Sequence, residues 1–175
     1  MVNEAYQADL QRLYKAKNES DIDAVLDFCE KYDGKLGLEQ IPDLMRMFNE
    51  NTEASPAQNE YIVEVLNTIV EKEGQEAVNI IVEQSDALLE EDSEGCMSYL
   101  ISMFFFWHAD KSFDLVTPLR TAKDCIKKMY QDGIRKKIEY MQKHSEYYKI
   151  EQINRIQNIE NQFSELEIKD EFARN

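Results

Sequence analysis

The sequence predicts an all-α protein: one domain over residues 1–175, built from about eight or nine helices arranged as stacked helical hairpins. Three observations predict it. Apolar residues recur at i, i+3, i+4 and i+7 along nearly the whole chain, which is the period of one helix face. Only 5 Gly and 3 Pro occur, too few for the turns that sandwiches and doubly wound sheets consume. The apolar pattern also superposes on itself when the chain is shifted by about 36 residues. With 43% hydrophobic residues, 175 residues suffice for a sizeable core.

The spacing predicts helices over 3–17, 21–33, 38–50, 56–73, 75–90, 94–109, 112–131, 134–146 and 148–167. Ser20 followed by Asp23 has the form of a capping box at the start of the second helix. Pro42 fits the first turn of the third, where its missing N–H costs nothing. "SPAQ" at 55–58 places Ser55 at the N-cap, Pro56 at the first helical position and Gln58 where the box closes. Gly74 stops that helix, and Gly95 sits at the start of a later one. Pro118 lies deeper in its helix and starts, kinks or splits it.

The shift pairs these helices into units over about 5–33, 41–73, 77–109 and 113–146, with a C-terminal helix at 148–167. "IPDLMRMF" (41–48), "AVNIIVEQ" (77–84) and "FDLVTPLR" (113–120) align as first helices; "YIVEVLNTIV" (61–70) and "MSYLISMFFF" (97–106) align as second ones. A helix–turn–helix unit of about 36 residues is close to the length of HEAT and TPR repeats. The TPR Trp/Gly/Tyr pattern is absent, so the expectation is a HEAT-like α-solenoid or a compact helical array of the same hairpins.

"MFFFWH" at 103–108 invites a stacking-site reading. Four consecutive helical residues, however, span about 300° of the wheel and share no single face. Phe104, Phe105 and Phe106 are therefore expected in the core. Trp107 and His108 end that helix beside the "ADKS" turn and are candidates for a partner contact.

The net charge is −15 and lopsided: residues 1–95 hold 7 Lys/Arg against 23 Asp/Glu, residues 96–175 hold 13 against 12. So acidic a half repels phosphate backbones and excludes general nucleic-acid binding; it suits a basic protein, or serves solubility alone. "MVNEAYQADLQ" has neither a basic n-region nor an apolar h-region. The longest uncharged run, Gly95–Ala109, spans roughly 20 Å as a helix, short of the about 30 Å of a bilayer core. Cys29, Cys96 and Cys125 form no CxxC and read as reduced core thiols. A cytoplasmic protein with no membrane partner is the expectation.

No constellation for catalysis, metal or cofactor is found. The two histidines, His108 and His144, stand in no metal-ligand spacing, and His144 reads as a surface or helix-end residue. There is no GxSxG and no phosphate-cradling glycine loop. "EEDSEG" (90–95) lacks the ladder of a calcium loop. Glu60 and Glu64 share a helix face, but among 35 Asp and Glu such pairs arise by composition. Lys123, Lys127 and Lys128, near Tyr130 and Tyr140, have the spacing of a basic ridge, though acids interrupt it.

The turns "NESD" (18–21), "NENTEAS" (49–55) and "EEDSEG" (90–95) are equivalent under the shift. Stacking would gather Glu19, Asp21, Glu50, Glu53, Glu90, Glu91, Asp92 and Glu94 on one edge as an acidic rim. Polar turns are also the ordinary state of loops, so the rim either solvates the edge or steers a basic partner inward.

"IPDLMRMFNEN", an acidic turn, "YIVEVLNTIVEKEG" and then "AVNIIVEQSDALLEEDSEGCMSYLISMFF" follow in an order that resembles the bacterial polymorphic-toxin immunity proteins of the immunity protein 30 type. The resemblance covers roughly 36–145 and lies in pattern. One departure is the Trp that members often carry near the start of the helix beginning here at Cys96; the only Trp stands at 107. The resemblance implies no catalytic residue and no cofactor. It implies a non-enzymatic cytoplasmic antidote that binds a cognate toxin domain tightly and blocks it. Many such toxins are nucleases, basic where they hold phosphate. The alternative is a HEAT-like helical scaffold or adaptor unrelated to toxins.

Overall fold

The computed structural model describes residues 4–18, 21–50, 56–88, 113–166 and 168, with side chains at 4–15, 21–46, 60–88, 113–166 and 168. Among them are eight α-helices and no strand: α1 (Glu4–Asn18), α2 (Ile22–Tyr32), α3 (Ile41–Glu50), α4 (Pro56–Glu73), α5 (Gln75–Leu88), α6 (Val116–Leu119), α7 (Asp124–Lys143) and α8 (Ile150–Gln162). Short 3₁₀ turns at Leu38–Gln40, Ser145–Tyr147 and Phe163–Glu165 lead into α3, join α7 to α8 and follow α8.

The punctuation acts much as its chemistry dictates. α4 begins at Pro56. Gly74 takes φ +65°, a left-handed conformation open to glycine at no steric cost, and its N–H closes on Val70 O at 2.8 Å. α2 is capped by Asp21 rather than Ser20: the Asp21 carboxylate accepts the Ala24 N–H at 3.2 Å. Both residues can cap, and the aspartate one position later does.

α1 packs on α2, α2 on α4, α3 on α4 and α5, and α5 on α6. α2 thus lies beside α4 and α3 beside α5, the layering of a compact helical array. The core runs between the layers through Leu44 and Met45 of α3, Ile62, Leu66 and Ile69 of α4, and Val78 and Val82 of α5, each at most 2% exposed. Tyr6, Phe28 and Tyr32 join α1 to α2, with Tyr32 edge-on to Tyr6 at 5.4 Å.

The sequence reading departs from the structure after residue 112. Helices over 112–131 and 134–146 were expected as one hairpin; instead α6 is a single turn around Pro118, and α7 runs unbroken through Gly133 to pack on α8. Two forces decide this. At the break, the Asp86 carboxylate of α5 accepts the Lys123 N–H at 2.7 Å, while Lys123 Nζ donates to the Asp86 carbonyl at 2.7 Å. Past it, Ile126, Tyr130, Ile134, Ile138 and Met141 form one buried stripe. Burying that stripe outweighs the about 1 kcal/mol that a mid-helix glycine costs. Gln75 clamps α6 beside α5, its amide donating to Asp114 O at 2.6 Å and its Oε1 accepting the Asp114 N–H at 2.8 Å.

Candidate functional site

α2 and α4 lie side by side, and a groove of about 430 Å³ opens between them. α2 contributes Leu26, Cys29 and Glu30, spaced i, i+3, i+4 on one face, and Asp33 follows at its C-cap in a non-helical conformation. α4 contributes Tyr61, Glu64, Val65, Asn67, Thr68 and Glu71. Leu26, Cys29, Tyr61 and Val65 supply an apolar floor, and Thr68 satisfies its hydroxyl on Val65 O at 2.7 Å.

Every charged residue lining the groove is an acid: Glu30 and Asp33 on one wall, Glu64 and Glu71 on the other, all exposed. Among the described residues no ion pair reaches Glu30, Asp33 or Glu64. The nearest cations on the same helices are engaged elsewhere. Lys31 donates to Asp9 of α1 at 2.6 Å, and Lys72 donates to Leu36 O at 2.7 Å. The negative field reaches the floor: burial first, then the charges of Glu64 and Asp33, push the Cys29 thiol up to about 12. Its S–H points to Tyr61 O at 3.5 Å. Cys29 is therefore a protonated floor residue rather than a nucleophile.

The Asp9 carboxyl is held below its ordinary range by Lys31 and then by the Tyr32 hydroxyl, and the Lys31 amine is raised by the same contact. This clamp ties α1 to the back of α2 and fixes the groove's first wall.

Of the predicted acidic rim, Asp21 is described, and its carboxylate serves as the α2 cap. Glu50 ends α3 with its side chain outside the described residues. Glu19, Glu53, Glu90, Glu91, Asp92 and Glu94 lie outside the described residues, as do Trp107, His108, Cys96 and the run Phe104–Phe106.

The basic ridge does not assemble. Lys123 is spent on Asp86, Lys127 is buried 3.6 Å from Asp124, and Tyr130 is buried against Ser85. Ser85 Oγ donates to Ile81 O at 2.7 Å, which leaves the Tyr130 hydroxyl, 3.0 Å away, as the donor between the two. His144 caps α7 and packs on Tyr140 at 4.5 Å, as a helix-end residue does. Among the described residues no cluster of His, Cys, Asp and Glu could hold a metal, and no helix is long and apolar enough to cross a membrane.

The groove acids escaped the sequence reading because Glu64 looked like one solvated-face acid among many. The signal was present: the 36-residue register already sets 23–32 beside 61–70 as neighbouring second helices, and each carries acids on the flank that meets the other. Comparison with family models, with curated proteins and with solved structures finds no match to this chain.

Proposed function

We propose that this chain is a non-catalytic binding protein that neutralises a basic toxin domain by docking it on the acidic N-terminal half. The observation that carries the reading is the α2–α4 groove, an apolar floor under a rim whose charges are all negative. Apolar area supplies affinity, and a single-sign rim steers the partner and rejects others. The charge asymmetry of the sequence and its resemblance to immunity proteins of the immunity protein 30 type point the same way. A toxin that acts on phosphate-bearing substrates presents the complementary basic surface, and occupying that surface blocks it without chemistry by the binder.

The test is rescue. Cells expressing the toxin domain encoded beside this gene are expected to survive when this chain is co-expressed, and the two proteins to co-purify as a stoichiometric complex. Death of the cells despite co-expression of this chain, or rescue without a complex, would remove the reading. The compact helical array equally suits a helical adaptor, which would bind a basic partner and rescue nothing.

A further inference from the structure

We infer that the α2–α4 groove receives an α-helix of the partner, apolar along its contact stripe and lined with Lys or Arg on both edges. This rests on the binding role proposed above and names what the groove accepts. Its lining runs from Leu26 on α2 to Asp33 at the C-cap of that helix, and from Tyr61 to Glu71 on α4. At about 1.5 Å per residue the longer wall is roughly 15 Å, three turns of a docked helix.

An extended peptide fits less well. Both walls are helical along most of their length, so they offer no sheet edge for strand addition. An extended segment over Leu26, Cys29 and Val65 would leave its own N–H and C=O groups unpaired against an apolar floor. A helix satisfies its backbone internally and presents only side chains. Nucleic acid is repelled by the rim. Because Glu64 and Glu71 stand seven residues apart on one wall, the docked helix meets acids two turns apart on that edge, and Glu30 and Asp33 on the other. Cations at i and i+7 on one edge and within one turn of each other on the opposite edge complete the match.

The probe is a synthetic fourteen-residue Leu/Lys amphipathic helix carrying a benzoylphenylalanine in its leucine stripe. Its control is a peptide of the same composition, scrambled so that no stripe forms. Binding to the full chain is read by fluorescence anisotropy at low salt, and photo-crosslinks are mapped by mass spectrometry. The striped peptide is expected to bind at least tenfold more tightly than the scrambled one and to crosslink within 26–33 and 61–71. E30K/E64K is expected to weaken it at least tenfold, while D132K/E139K, at exposed positions on α7, changes it less than twofold; circular dichroism confirms that both variants fold. Equal binding of the scrambled peptide, crosslinks elsewhere, or equal loss in the two variants would overturn the inference. So would a dimer of this chain, read by sedimentation velocity, that E30K/E64K abolishes and the striped peptide cannot displace. If the chain neutralises its neighbouring toxin and E30K/E64K does so equally well, the groove assignment falls and the immunity reading stands. If no toxin is neutralised but the peptide results hold, the reverse follows.

Discussion

Replacing Asp86 with alanine should loosen the join between α5 and α7. Asp86 Oδ1 accepts the Lys123 N–H at 2.7 Å, in the short range of charge-assisted bonds, and the contact is partly buried. Hydrogen bonds to charged groups are worth about 1.5–3 kcal/mol, and partial exposure places this one at or below the lower end, so a loss of about 1–1.5 kcal/mol is expected. For a chain of this size each kcal/mol moves the Tm by about 2–4 °C, which gives a fall of roughly 2–6 °C. Asp86→Asn keeps an acceptor oxygen without the charge and should lose less than half as much. Thermal unfolding followed by circular dichroism at pH 7 reads both. A D86A Tm within about 1 °C of the parent, or a D86N variant as unstable as D86A, would refute the view that Asp86 holds the break between α6 and α7.

Gly74→Ala should cost about 1 kcal/mol, because φ is +65° while an added Cβ meets nothing within 4 Å; Gly74→Asn should cost less, and Tm values check the order. Asp9→Asn should lower Tm at pH 7 and do so less toward pH 3. The folded Asp9 pKa lies below its ordinary 3.8, so its stabilisation is present above that value and is lost as pH falls through the folded one. Cys29, with its thiol pushed up to about 12, should react with iodoacetamide at pH 8 more slowly than an unhindered thiol of ordinary pKa by at least tenfold, a ratio that mass spectrometry can follow.

Helical periodicity carried the fold a long way. α1 to α5 fall within a residue or three of their expected ranges, because Pro56, Gly74 and the apolar stripes are local signals with local effects. The C-terminal region was less legible for the opposite reason. Whether the chain breaks near Pro118 or at Gly133 depends on burial of the α7 stripe and on Asp86, which lies more than thirty residues upstream and shows no local sign of its role. The groove followed the same rule. Its acids are visible as letters, but a rim differs from a solvated face only once α2 is set beside α4 and Lys31 and Lys72 are seen to be engaged elsewhere. The ridge of Lys123, Lys127 and Lys128 failed in reverse: its spacing is helical, yet Lys123 precedes α7 in extended backbone and Lys127 packs inward.

The most direct test is the association rate of the parent and of E30K/E64K with the toxin domain encoded beside this gene, followed by stopped flow at low and at high salt. Exposed charges more than about 8–10 Å apart are screened at physiological ionic strength, so the rim's contribution must depend on salt. The predicted result is a parent on-rate at least tenfold above that of the variant at low salt, with the two converging as salt rises. Equal on-rates at low salt would contradict an acidic groove that receives the toxin, and no complex at all would contradict the immunity role.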